Sequence, residues 1–159
     1  MKRIALLMIL ALSLYSCSSD DDGPNVNYAF AEITEADLPD FFETGEVYEL
    51  DITYELPNAC HTFATFDFNE YADEENDSTY VIEIAAITSY DVNLTECDEE
   101  GELSQTKSIP EISISSEDYN NYQFKFLTGV DENEDGEFLI IDVPVGEPEP
   151  ETPEENTNE

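Results

Sequence analysis

The chain has 159 residues, with 40 Asp or Glu against 4 Lys or Arg, giving a formal net charge of −36 at pH 7. So acidic a balance excludes nucleic acid as a partner, because phosphate contacts need clustered Lys and Arg, and it disfavours peripheral binding to anionic lipid. Nine Tyr and nine Phe, with many β-branched residues, still supply a core and favour strands, so one ordinary domain is expected.

At the start, Lys2 and Arg3 precede an apolar run from Ile4 to Leu14, broken only by Ser13. The run has the length of a signal-peptide core and is too short to span a bilayer as a helix. Leu14-Tyr15-Ser16-Cys17 then resembles a bacterial lipobox, with Tyr15 in place of the usual small or aliphatic residue. That resemblance implies removal of residues 1–16 and lipid attachment at Cys17, where several acyl chains together anchor stably. Ser18-Ser19-Asp20-Asp21-Asp22 resembles the surface-export signal of lipoproteins in Bacteroidota, flavobacteria especially. It implies the outer leaflet of the outer membrane, facing the exterior, with residues 17–25 as an acidic tether. After cleavage Lys107 and Lys125 are the only Lys or Arg left. Charge of one sign keeps such a domain soluble and monomeric.

The folded domain is expected over residues 26–145, opened by Val26 to Ile33. Thr34-Glu35-Ala36-Asp37-Leu38 reads as one helical turn, capped by Thr34 and stopped by Pro39. Tyr48, Leu50, Ile52, Tyr54 and Leu56 alternate with polar residues, which predicts a half-buried strand ended by Pro57-Asn58. A second strand is expected over Cys60 to Phe68, with Phe66 and Phe68 in phase with Cys60. A third runs from Thr79 to Tyr90, and a shorter one from Pro110 to Ser115. Tyr122, Phe124 and Phe126 mark another, and Phe138 to Val145 is the last. Residues 146–159, rich in Pro and Glu, cannot bury a core and are expected to be disordered.

About seven strands with turns between them predict an all-β fold, an antiparallel β-sandwich. Asp118-x-x-x-Tyr122-x-Phe124 resembles the tyrosine corner of immunoglobulin-like domains, which implies that topology. Phe124 replaces the usual Cys, Asn120 stands where Gly is frequent, and the chain has no Trp. The strings EVYELDITYELPNACHTF and YQFKFLTGVDENEDGEFLIIDVPV, with the Cys97 region, resemble a group of small flavobacterial lipoproteins. That resemblance carries location and fold but no activity.

Cys60 and Cys97 form an even pair once Cys17 is lipidated, and in an oxidising compartment they most simply form a disulfide. Free thiols or a metal pair are the alternative, although two Cys without a second His make a poor zinc set. Asp131-Glu132-Asn133-Glu134-Asp135-Gly136 matches the first half of a calcium loop. Continuing the count gives Asp131, Asn133, Asp135, Glu137 and Asp142 as the calcium ligand set. A hairpin turn with solvated acids explains the same residues. Residues 69–77 and 96–102 are two further acidic loops. Asp77-Ser78-Thr79 resembles the acceptor of Bacteroidota O-glycosylation, which makes Ser78 a candidate acceptor. His61, the only histidine, follows Cys60 and reads as structural rather than catalytic, since a disulfide leaves no thiolate. The expectation is a non-catalytic surface module that binds an envelope protein or a glycan and has no cofactor other than calcium. An accessory subunit of an outer-membrane complex and a small hydrolase are the alternatives.

Overall fold

In a computed structural model, the described residues are 25–94, 96–97, 101–114 and 119–146. The expected signal peptide (residues 1–16), Cys17 and the expected tether as far as residue 24, Asp118 and residues 147–159 lie outside them.

Seven strands follow in chain order: β1 (Val26–Asp37), β2 (Val47–Glu55), β3 (Thr62–Ala72), β4 (Thr79–Asp91), β5 (Ser104–Ser113), β6 (Asn121–Val130) and β7 (Gly136–Pro144). The strands pair in the order β5-β2-β1-β4-β6-β7, and β3 adds to the other edge of β4. The fold is the all-β sandwich expected. Its two halves are joined by β1, which is shared between them: Val26 to Ala31 pairs with β4, while Glu32 to Asp37 pairs with β2.

The sheet is mixed rather than wholly antiparallel. β4 and β6 run parallel over Thr79–Ile84 and Asn121–Phe126, because the chain crosses to β5 and back between them. The β1-β2-β5 neighbours follow the A-B-E order of an immunoglobulin-like sheet. β6, however, lies parallel to β4, where strand F of such a domain meets an antiparallel neighbour. Tyr122 is buried against Phe42 and Tyr80.

Alternation explains most of the core. Leu50, Ile52 and Tyr54 from β2, Ile82, Ile84 and Ala86 from β4, and Phe124 and Phe126 from β6 meet between the halves. Four bulges break the phase. One, between Phe63 and Thr65, turns both Phe63 and Phe66 onto the core and leaves Phe68 41% exposed. The phase expected from Cys60 therefore fails, and Cys60 itself precedes the strand.

The expected helical turn at Thr34–Leu38 is strand as far as Asp37. Glu35, Ala36 and Asp37 pair with Thr53, Ile52 and Asp51, and the Thr34 hydroxyl donates to the Thr53 carbonyl. Ladder bonds to a formed neighbour outweigh one marginal turn of helix. β5 begins six residues before the expected Pro110. Its first half is polar because it is an edge strand, tied through Thr106 to Thr53, Gln105 to Tyr54, and Ser108 to Asp51. Pro110 and the left-handed Glu111 (φ 65°) disrupt that edge and protect it from further pairing.

Candidate binding surface

The two seams of the sandwich differ. Between β3 and β5 the seam is narrowed by rings to a hollow of about 260 Å³: Phe63 lies 5.1 Å from Tyr54 and 4.9 Å from Phe66, with Lys107 over Phe63. The seam along β1 stays open as a groove of about 640 Å³. β1 forms its floor through Phe30, Ala31 and Glu32. One wall is the end of β6, from Leu127 to Val130, and the other is Glu55, Leu56, Pro57 and Leu103.

The groove exists because β1 changes partners. The parallel β4–β6 ladder stops at Ile84 and Phe126, and β1 takes over the edge of β4 from Ala86 onward. A bulge between Leu127 and Gly129 then turns the end of β6 away from regular pairing. Phe30 (56% exposed) and Val130 (56%) are open to solvent, whereas Leu56 and Leu127 are buried.

Phe30 also lines a second hollow of about 190 Å³ on the outer face of the larger half, where Ala85, Leu127 and Phe138 meet the polar side chains of Asp67, Asn69 and Glu83. Tyr28 (68% exposed) and Ile140 (52%) extend its apolar side. On its polar side, Glu83 accepts hydrogen bonds from the Tyr71 hydroxyl at 2.6 Å and from Asn69 at 3.0 Å. Lys125 donates to Tyr71 and stands 3.5 Å from Glu83. Partial burial alone would raise the Glu83 pKa, but the bonds from Tyr71 and Asn69 and the Lys125 charge outweigh it and hold the carboxyl below its usual value. The Tyr71 bond leads in raising Lys125.

Glu32 and Glu55 are register partners on β1 and β2, and both line the groove. Opposed residues on adjacent strands have Cα atoms about 4.5–5.5 Å apart, and like charges so placed repel. Among the described residues the ion pair is Lys125–Glu83, on another face.

The residues singled out from sequence are dispersed. Cys60 and Cys97 are disulfide-bonded, with Cα atoms 5.5 Å apart, and the bond ties the β2–β3 turn to the β4–β5 loop. Asp131 closes the β6–β7 hairpin: its Oδ1 accepts the backbone N–H of Asn133 at 2.7 Å and of Asp135 at 2.9 Å. The Asp135 bond leads in lowering its pKa. Asp142 lies far along β7, where it accepts from Asn121 and Gln123. Six residues of strand, about 20 Å, separate it from Gly136, so Asp131, Asn133, Asp135, Glu137 and Asp142 do not converge on one point. No group of three or more His, Cys, Asp or Glu is placed to hold a metal among the described residues.

The Ser78 hydroxyl donates to Asn76 Oδ1 at 2.8 Å in the β3–β4 turn and is half-buried. His61 stacks on Tyr90 at 4.6 Å, and its Nδ1 lies 2.9 Å from Thr88 Oγ1. That hydroxyl donates its one proton to the Ala29 carbonyl, so Nδ1 carries the proton and donates to it. Burial holds the ring below its ordinary pKa. The histidine is thus a structural peg between the turn and β4.

The groove residues carry no motif and were missed from sequence. The one available signal is that Tyr28 and Phe30 fall on the opposite phase of β1 from Ala31 and Ile33, so that strand is apolar on both faces. Comparison with known proteins finds no matching family model, no similar curated protein and no similar solved structure.

Proposed function

We propose that the chain is a lipid-anchored cell-surface protein, held in the outer membrane through Cys17, whose sandwich is a non-catalytic binding module. Support for the location is the basic, apolar and Ser-Cys order of its first 17 residues and the acidic cluster that follows. Support for binding is the position of Phe30, an exposed ring shared by two hollows that mix apolar and acidic side chains. Exposed aromatic side chains of this kind mark interaction sites.

Two experiments test the reading. Metabolic labelling with an alkyne fatty acid tags the protein, and Cys17→Ser abolishes both the tag and membrane retention. A protein that stays membrane-bound without label would sink the anchor. A photo-crosslinking residue at Phe30, used on intact cells, captures a discrete partner, whereas the same residue at Glu74, in the exposed β3–β4 loop, does not. Equal labelling from both positions would mean that the surface is not a binding site.

The accessory-subunit reading is favoured by the aliphatic Ile140 and Val130 beside Phe138. It differs only in requiring a permanent partner, so the crosslinked species would persist through purification without irradiation.

A further inference from the structure

The groove beside β1 has largely apolar walls and two carboxylates opposed in register, Glu32 on its floor and Glu55 at the foot of one wall. We infer that it docks an extended, lysine- or arginine-bearing segment of another protein, with apolar side chains against Phe30, Leu103 and Val130 and a cation between Glu32 and Glu55. This deepens the binding-module reading and rests on it.

Charge complementarity selects the occupant. Glu32 and Glu55 face each other in register, which destabilises the β1–β2 ladder unless a cation lies between them. Neither lysine among the described residues supplies that cation. Lys125 is engaged by Tyr71 and Glu83 on the outer face, and Lys107 lies over Phe63 at the other seam. A second like-charged pair in the same ladder, Asp37 and Asp51, has a hydroxyl donor in Ser108 and lies outside the groove.

Two other occupants fail on chemistry. The chain's own residues 147–159 carry glutamates, three prolines and no cation. They would add repulsion, and each proline lacks an N–H for pairing. A second copy brings another net charge of −36, which opposes close approach. What remains is a partner of opposite charge. The groove favours an extended segment because its floor is a strand and its β6 wall ends beyond the β4 ladder, and both can offer backbone groups to a peptide.

The test uses the full-length protein in detergent micelles and three short peptides that alternate valine and phenylalanine with lysine, serine or glutamate. Binding is read by isothermal titration at fixed ionic strength. The lysine peptide is expected to bind at least about tenfold more tightly than the serine peptide, with no binding of the glutamate peptide. Phe30→Ala and the double variant Glu32→Gln/Glu55→Gln are each expected to weaken the lysine peptide at least about tenfold, while Glu74→Gln/Glu75→Gln, which removes equal charge elsewhere, is not. The groove double variant is also expected to melt above that control, because it relieves the opposed charges. A loss of binding therefore cannot be a loss of folding.

An equal loss in the control would mean diffuse attraction to an acidic surface and would overturn the proposal. Phe30-dependent binding of a neutral oligosaccharide such as maltoheptaose, without the lysine peptide, would make the groove a glycan site and also overturn it. If the Phe30 crosslink forms on cells while no peptide binds, the ligand class is wrong and the binding-module reading stands. If neither occurs, both fall.

Discussion

Replacing Cys60 and Cys97 together by Ala removes a bond that closes a 37-residue separation. In the chain-entropy model a loop of that length confines the unfolded chain by about 13 cal/mol/K, or about 4 kcal/mol at 25 °C. The described domain has roughly 120 residues, and an unfolding entropy of about 2.1 cal/mol/K per residue makes each kcal/mol worth about 4 °C. The double variant should therefore melt about 15 °C lower than the oxidised protein by circular dichroism, and the oxidised protein with added reductant should match it. Salt must be held constant, because screening of a chain at −36 moves the baseline. The entropic account also requires an unchanged native state, so amide chemical shifts outside the two linked loops should stay where they are. A drop of less than about 4 °C would refute the reasoning. So would wide shifts through the core, which would place the cost in the folded protein.

Phe124 and Phe126 are fully buried and their rings lie 6.0 Å apart, so Phe124→Ala should cost about 3–5 kcal/mol in urea unfolding. A cost below about 1 kcal/mol would mean that the halves do not pack there. Glu83 has a folded pKa below its ordinary value of 4.5, so its contribution is present above that value and is lost as pH falls through the lowered one. Stability against pH should accordingly lose part of its acid limb in Glu83→Gln, and Tyr71→Phe should move the Glu83 carboxyl titration upward by NMR. Asp131→Ala removes the acceptor for two turn amides, so hydrogen exchange at Asn133 and Asp135 should speed up while β2 is unaffected. Calcium and magnesium at matched ionic strength should raise the melting temperature equally, since the expected calcium ligands do not converge. A calcium-only rise lost in Asp131→Asn would overturn that.

Much of the fold is legible in local pattern. The alternation at Tyr48–Leu56 and Tyr122–Phe126 reflects strands with one face on the core, and side-chain period two is visible without a partner. Direction is not, because a period of two is the same for parallel and antiparallel neighbours. The β4–β6 pairing was therefore hidden. Bulges were hidden too: one residue at Ala64 inverts the phase of Phe66 and Phe68, and nothing in those side chains announces it. The polar first half of β5 lacks a pattern because its stabilising contacts are to the Thr53 and Tyr54 hydroxyls on β2. The groove draws on four separated segments, and the opposition of Glu32 to Glu55 exists only once the register is set.

The sharing of β1 between the two halves also has a mechanical consequence. β1 is the first strand after the proposed tether, and Phe30 on the groove floor is only four residues beyond its start at Val26. If the chain is anchored at Cys17, tension between the cell and a captured partner enters at one end of β1 and leaves a few residues later. The ladder from Val26 to Ala31 along β4 lies beside that short path and would resist it by sliding all its bonds at once rather than opening them in turn. The walls at Glu55 and Val130 would share the pull with β2 and β6, while the disulfide lies off that path. Such a module would take most of its load on the strand nearest its anchor.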